Sequence, residues 1–169
     1  MKLFYGLGNP DKNYQNTRHN IGQIIINKII ADNKLKVENF PKANASIARS
    51  TDTIYSLSHD YMNNSGITAT KLINFFKINL SDFYVVHDDL DLEVGDYRIQ
   101  FDRGPAGHHG IESIISHLHS QQFHRIRIGI GKPKNNVPVE DFVLMTFTPE
   151  EKSQISLTID KILSEIKKL

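Results

Sequence analysis

Carboxylate and imidazole side chains cluster in the run His87-Asp88-Asp89-Leu90-Asp91, which directly follows a short apolar segment. Two kinds of chemistry use these groups. Imidazole nitrogens and carboxylate oxygens bind several divalent cations, and a single carboxylate can orient and charge a distant histidine, as in hydrolytic triads. The spacing by itself favours a third interpretation, a loop of solvated acidic side chains.

Three further polar clusters fall where the chain is predicted to form loops. Asn9 follows a first apolar segment, His19 precedes a helical pattern, and Asn63 precedes a second helical pattern. Each cluster also has an ordinary structural explanation, because Asn-Pro forms turns and asparagine caps helices. Asn20, in particular, is expected to cap the helix that follows it.

A second pair of imidazoles lies in the run Gly107-His108-His109-Gly110. Combined with the acidic run it gives a candidate ligand set for a metal-dependent hydrolase: His87, Asp88, Asp91, His108 and His109. The chain contains no cysteine, which excludes disulfides, a thiolate metal site and a cysteine nucleophile. No Gly-x-Ser-x-Gly elbow is present to support a serine nucleophile.

Charge is unevenly distributed, although the net charge of the 169 residues is only +1. Residues 81–96 carry acidic side chains and no lysine or arginine. Residues 97–134 carry mainly basic ones: Arg98, Arg103, Arg125, Arg127, Lys132 and Lys134. An acidic stretch followed by a basic one suggests a polyanion-binding face beside a carboxylate site, and unrelated solvated charges are the competing explanation.

The elements that must position these residues alternate between strands and helices. Strands are predicted at residues 3–7, 47–57 (a pair), 83–86, 97–101, 126–130 and 142–145, and helices at 20–33, 67–76, 111–118 and 149–166. Thr148 and Glu151 predict a capping box at the start of the last helix. Together these elements predict one α/β domain over residues 1–169, with a mixed central sheet flanked by helices on both faces. The functional site is expected beyond the strand ends.

No apolar run reaches the ~20 residues that cross a bilayer, so no membrane association is expected. The N-terminal residues also lack the pattern of a signal peptide. A cytoplasmic location is the resulting expectation.

Six segments, taken together and in order, closely resemble the bacterial peptidyl-tRNA hydrolase family. They are FYGLGNP (4–10), YQNTRHNIG (14–22), YMNNSG (61–66), VHDDLDL (86–92), GHHGI (107–111) and FHRIRIGIG (123–131). The resemblance implies a monomeric α/β enzyme without cofactor or required metal. Its reaction would be hydrolysis of the ester that joins a peptide to the 3′-terminal ribose of peptidyl-tRNA.

The resemblance also assigns roles to individual residues. His19 is similar to the general base that activates water, Asp88 to the carboxylate that orients it, and Asn63 to the residue that places the substrate carbonyl and stabilises charge on it. Asn9 matches the residue that distinguishes a peptide from a free amino group. The remaining substrate-contacting positions are Tyr14, Tyr61, Met62 and His109.

The basic stretch would neutralise tRNA phosphates through Arg98, Arg103 and Arg127, a contact that does not depend on base sequence. The chain departs from the family at Asp11, where glycine is usual, and at His109, where asparagine is usual. The alternative function is a non-catalytic RNA-binding relative of the same fold. Such a relative would be free to lose His19, Asp88 or Asn63, and this chain retains all three.

Overall fold

A seven-stranded sheet runs through the centre of the protein, whose 169 residues are all described by a computed structural model. The strands are β1 (Lys2–Gly6), β2 (Val37–Phe40), β3 (Ala45–Arg49), β4 (Thr53–Ser58), β5 (Phe83–Asp89), β6 (Tyr97–Phe101) and β7 (His124–Gly129). The helices are α1 (Ile21–Asp32), α2 (Ser65–Phe76), α3 (His109–Leu118), α4 (Val139–Val143) and α5 (Pro149–Ile166). None of the five helices combines the length and the apolar character that a bilayer crossing needs.

The strands follow the order β2-β3-β4-β1-β5-β7-β6. The four central strands, β4, β1, β5 and β7, are parallel, whereas β2, β3 and β6 pair antiparallel with their neighbours. The sheet is therefore mixed, as predicted. Because parallel strands end at the same edge of a sheet, the segments that follow β1 and β5 gather at one end of the molecule.

Helices cover both faces of the sheet, which also confirms the predicted fold class. On one face the isoleucines of α1 and α5 pack with Phe4, Val86 and Ile126. On the other face α2 and α3 pack with Leu3 and Val85. The period-two alternation of the strands therefore supplies two separate apolar cores.

The last helix begins with the predicted capping box. The side-chain hydroxyl of Thr148 accepts a hydrogen bond from the backbone N–H of Glu151 at 3.3 Å. In return, Glu151 Oε2 accepts one from the backbone N–H of Thr148 at 2.8 Å. Two backbone donors that a helix start would otherwise leave unpaired are thus satisfied.

Three local features differ from the sequence-based expectation. The strand predicted at 142–145 is wrong, because this segment contributes to α4 and buries Phe142 and Val143 against the core. A short apolar run has no periodicity that separates a strand from a helix. Strand β2 was not predicted because its side chains are largely exposed, and β5 extends through Asp89, so the acidic run begins inside a buried strand.

Candidate active site

The ends of β1 and β5 meet the beginnings of three helices. His19 lies on a 3-10 turn (Arg18–Asn20) that leads into α1, Asp88 lies near the end of β5, and His108 is the N-cap of α3. A further 3-10 turn, Met62–Asn64, leads into α2. Helix N-termini carry partial positive charge and unpaired N–H groups, so this end of the molecule favours a substrate that develops negative charge.

His19 and Asp88, predicted as a catalytic pair, are in direct contact. His19 Nδ1 lies 3.0 and 2.9 Å from the two carboxylate oxygens of Asp88. Because an ionised carboxylate only accepts hydrogen bonds, Nδ1 carries the proton and donates it. The lone pair of His19 is therefore on Nε2, which makes no hydrogen bond within the protein.

His108 also contacts Asp88, a role that the sequence did not indicate. Its Nε2 lies 3.0 Å from Asp88 Oδ1, and its Nδ1 accepts a 3.4 Å hydrogen bond from the backbone N–H of Ile111. An accepting Nδ1 carries no proton, so Nε2 is the protonated nitrogen and donates to the carboxylate. One buried carboxylate thus accepts hydrogen bonds from two imidazoles.

A metal ion does not fit this donor set, although the ligand atoms of His19, Asp88 and His108 lie within 4.8 Å of one another. Metal binding needs a lone pair on His108 Nε2, and moving that proton to Nδ1 would set it against the N–H of Ile111. The five-residue ligand set considered from the sequence is not assembled, since only Asp88 and His108 belong to this group. His109 is exposed instead, with Nδ1 3.0 Å from Glu112 Oε2.

The pKa values in the cluster reflect two opposing effects: burial disfavours the charged form of each group, and hydrogen bonds and neighbouring opposite charges favour it. Burial disfavours the charged form of Asp88, but electrostatic attraction and hydrogen bonds from His19 and His108 outweigh it, and the pKa of this carboxyl lies well below its usual range. Burial likewise lowers the pKa of His19, but the charge and hydrogen bond of Asp88 prevail, so the net shift is upward. Burial, together with the neighbouring His108, lowers the pKa of His87 to about 3.

Asn9 is held in a fixed orientation after β1. Its backbone N–H donates to Asn20 Oδ1, and Asn20 Nδ2 donates back to the Asn9 carbonyl, both at 2.9 Å. The expectation that Asn20 caps α1 is wrong, because its side chain orders this turn instead and makes no cap hydrogen bond. Asn9 Oδ1 accepts the backbone N–H of Met62 at 2.9 Å, which leaves the Asn9 Nδ2 group as a free donor.

The other predicted substrate-contacting residues lie around this turn. Met62 is buried, and Asn63 beside it is exposed and makes no hydrogen bond within the protein. The exposed Tyr61 donates its hydroxyl proton to a carboxylate oxygen of Asp11, so the departure at position 11 ties two loops together. Tyr14 is half-buried on the turn that follows Asp11.

A cleft of about 400 Å³ opens beside the histidines. Its base is formed by His19, Asp88 and His108, and its rim includes His109. Its walls come from the segment after β5, the loop before α3, the loop after β7, and α4: Asp89, Leu90, Asp91, Pro105, Ala106, Gly107, Lys132, Pro133, Val139, Glu140 and Val143. The cleft opens His19 to solvent.

Comparisons with known proteins are consistent along the whole chain. The sequence profile of the peptidyl-tRNA hydrolase family matches residues 3–169. The peptidyl-tRNA hydrolase of Geobacillus thermodenitrificans is 43% identical over 158 residues, covering 92% of this chain and 85% of its own. That of Mycoplasma capricolum subsp. capricolum is 42% identical over 154 residues, covering 89% and 83%.

The chain belongs to the peptidyl-tRNA hydrolase family.

Solved structures of the family agree with this assignment. A 1.00 Å crystal structure of peptidyl-tRNA hydrolase from Acinetobacter baumannii superposes with a TM-score of 0.93 at 32% identity, covering 99% of this chain and 87% of that one. A crystal structure of a peptidyl-tRNA hydrolase complexed with N-propanol gives the same values. The resemblance found in the sequence is therefore confirmed, and the protein is a hydrolase that acts on peptidyl-tRNA.

The arginines expected to contact tRNA fall into two groups. Arg98 is exposed on the edge strand β6, and Arg103 is half-buried in the loop that follows. Arg127 is only 4% exposed, and its Nε donates to Asp89 Oδ2 at 2.6 Å. The prediction that Arg127 contacts a tRNA phosphate is therefore wrong. Arg125 is also buried and donates to the carbonyls of Arg103 and Gly104.

Proposed function

We propose that the protein hydrolyses the ester between the peptide and the 3′-terminal ribose of peptidyl-tRNA, with His19 as general base and Asp88 as the residue that orients it. The observation that carries this proposal is the direct contact between His19 Nδ1 and the carboxylate of Asp88, which fixes the tautomer of His19. Asp88 holds the proton on Nδ1, and the unprotonated Nε2 lies at the base of an open cleft.

The reaction needs no protein nucleophile. His19 Nε2 removes a proton from water as the water oxygen attacks the ester carbonyl, and Asp88 stabilises the resulting imidazolium. Collapse of the tetrahedral intermediate breaks the bond to the ribose 3′ oxygen, which takes the proton from Nε2. The products are a peptide carboxylic acid and a free tRNA hydroxyl. General base catalysis of this kind contributes a factor of roughly 10²–10⁴.

Two amides are suited to the carbonyl groups of the substrate. Asn63 is exposed with no partner in the protein, so its Nδ2 is available to donate to the developing oxyanion, a contribution of about 3 kcal/mol. Asn9 Nδ2 is free because Met62 occupies its oxygen. We assign Asn9 to recognition of a peptide carbonyl, with Tyr14, Tyr61, Met62 and His109 as further contacts to the substrate.

His108 completes the arrangement as a positioning residue. Its hydrogen bond fixes the carboxylate of Asp88, which accepts from His19 at the same time. Arg98 and Arg103 are assigned to tRNA phosphates, which any tRNA presents. We further propose that the chain acts as a monomer in the cytoplasm.

The decisive experiment measures release of peptide from an N-blocked aminoacyl-tRNA by the purified protein. His19→Ala is expected to lower kcat by at least about 10²-fold and to leave tRNA binding within about two-fold. The exposed His119→Ala serves as the matched control and should retain full activity. A His19→Ala protein with a normal single-turnover rate would refute the assignment, and tRNA binding without turnover in the parent protein would favour the RNA-binding alternative.

A further inference from the structure

Arg18 precedes His19 in the chain but has no part in the reaction described above. Its side chain is only 4% exposed. The guanidinium carbon lies 4.5 Å from the ring centre of Phe142 and 4.9 Å from that of Phe147. Its Nη2 group donates to Glu151 Oε2 at 2.8 Å. Arg18 therefore bridges the turn that carries His19 and the segment from α4 to α5.

The backbone joins the same two regions. The N–H of Arg18 donates to the carbonyl of Met145 at 3.0 Å, and Thr17 forms an isolated β-bridge with Thr146. The side chain of Arg18 thus packs over a segment that its own backbone already borders.

The attached segment includes a wall of the cleft. Val139, Glu140 and Val143 of α4 line the cleft that has His19 at its base. α4 has only five residues, makes no side-chain cap hydrogen bond, and follows a loop with two left-handed residues, Asn135 and Asn136. A helix this short is not stable by itself, so tertiary contacts must hold it in place.

Glu151 connects Arg18 to the start of α5. The same oxygen, Oε2, accepts the backbone N–H of Thr148 and the guanidinium of Arg18, each at 2.8 Å. Partial burial raises the pKa of Glu151, but the hydrogen bond from Arg18 and those involving Thr148 outweigh it, so the net shift is downward and the carboxylate is ionised. One side chain thus caps α5 and pairs with the cation beside the catalytic histidine.

We infer that Arg18 and Glu151 form a positioning pair that holds the α4 wall of the cleft at a fixed distance from His19, so that breaking the pair weakens substrate binding more than it slows the chemical step. The inference rests on the proposed function only in taking this cleft as the substrate site. Arg18 Nε and Nη1 have no other partner in the protein, so Glu151 supplies the only countercharge to a buried guanidinium. Removing one member of such a pair leaves an uncompensated charge that must move toward solvent.

The test compares Glu151→Gln with Glu150→Gln in steady-state hydrolysis of an N-blocked aminoacyl-tRNA. Glutamine at position 151 preserves the capping box but removes the charge that pairs with Arg18, whereas Glu150 is an exposed neighbour in the same helical turn. For Glu151→Gln, KM is expected to rise about ten-fold with kcat within about two-fold and an unchanged pH midpoint of kcat, because His19 and Asp88 are untouched. Glu150→Gln should match the parent protein. An unchanged KM for Glu151→Gln, whatever its thermal stability, or a loss confined to kcat, would overturn the inference.

Hydrogen exchange supplies a readout that needs no substrate. Backbone amides of residues 139–145 should exchange at least about ten-fold faster in Glu151→Gln, while those of β5 should not change. Arg18→Lys is the second variant, in case Glu151→Gln does not fold. Lysine keeps the charge but loses the planar group that stacks on Phe142, so a smaller effect of about three-fold on KM and on exchange is expected. Parent-like KM and exchange at 139–145 in Arg18→Lys would overturn the inference, and because exchange is measured without turnover, this result is distinguishable from failure of the His19 assignment.

Discussion

At the scale of single residues, three imidazoles around one carboxylate are differentiated by their hydrogen-bond partners. His19 donates from Nδ1 and keeps a free lone pair, whereas His108 uses both ring nitrogens. His87 Nδ1 donates to the backbone carbonyl of Asp88, and its Nε2 is buried without a hydrogen-bond partner. Of these three imidazoles, only His19 therefore has a free ring nitrogen that can accept a proton from water.

The raised pKa of His19 predicts the pH dependence of hydrolysis. As the proposed general base, His19 must be neutral to act, so kcat should rise with pH through a midpoint above ~6.5, the reference value for histidine. Asp88→Asn removes the charge that raises this pKa and leaves the opposing effect of burial, so the midpoint should fall below that of the parent. The maximal rate should also drop, by roughly 10²–10⁴-fold. pH–rate profiles of both proteins provide the measurement, and a midpoint that does not move in Asp88→Asn would contradict the ion-pair explanation.

The single free donor of Asn9 predicts an effect on substrate discrimination. Asn9→Asp keeps an oxygen for the N–H of Met62 but replaces the Nδ2 donor with an acceptor, which attracts a free α-ammonium. The ratio of activity on N-blocked over unblocked aminoacyl-tRNA should therefore fall about ten-fold. Asn16→Asp, an exposed change on the neighbouring loop, controls for added negative charge. If the ratio of activity on blocked over unblocked substrate is the same in both variants, Asn9 does not recognise the peptide.

At the scale of elements, the geometry of the site depends on the close approach of the helix N-termini to the C-terminal ends of the strands. Capping box, helical periodicity and strand alternation predicted most helices and strands, because these signals are local. The contacts of Asp88 with His19 and His108 join residues 69 and 20 positions apart and depend on packing. The pairing of His19 with Asp88 was inferred from the family resemblance alone. His108 was considered only as a metal ligand, and its hydrogen bond to Asp88 was not predicted because the direction of its ring is set by the N-cap of α3. The partner of Arg127 was missed because it depends on the register of β7 against β5.

Gly22 is the point at which this close approach leaves no room for a side chain. A Cβ atom there would lie 2.1 Å from the carbonyl oxygen of Val86 and 2.7 Å from the backbone nitrogen of Leu7. Gly22→Ala should destabilise the fold by about 2–3 kcal/mol, lowering Tm by about 5–10 °C. Gly104→Ala is the matched control, since its Cβ would meet no atom within 4 Å. Equal melting temperatures for the two variants would show that α1 can shift away from the sheet.

At the scale of the whole molecule, arginines serve either the interior or the surface. Arg127 and Asp89 form a buried pair between adjacent parallel strands, and Arg125 holds the loop before α3. Arg98 and Arg103 remain on the edge of the sheet beyond these contacts. A net charge of +1 therefore understates the local positive potential that a polyanion meets at this edge.

This division predicts opposite outcomes for two substitutions. Arg98→Ala should weaken tRNA binding and reduce the slope of log Kd against log salt by about 0.7–0.9 for each phosphate that is no longer neutralised, with unchanged stability. Arg127→Ala should instead destabilise the fold by about 3–5 kcal/mol, because Asp89 is left buried without its partner. Salt titrations of tRNA binding and urea unfolding measure the two effects, with the exposed Lys161→Ala on α5 as the control. A parent-like salt slope for Arg98→Ala would remove it from the tRNA-binding surface.

The arrangement of hydrogen bonds around Asp88 also determines how the protein would respond to an electrophile. An acylating group that reaches the base of the cleft meets the imidazoles of His19 and His108, and of these two only His19 has a free lone pair, on Nε2. No thiol competes for the reagent anywhere in the chain. Covalent capture at this depth would therefore be selective for one atom, the same atom that we propose as the general base.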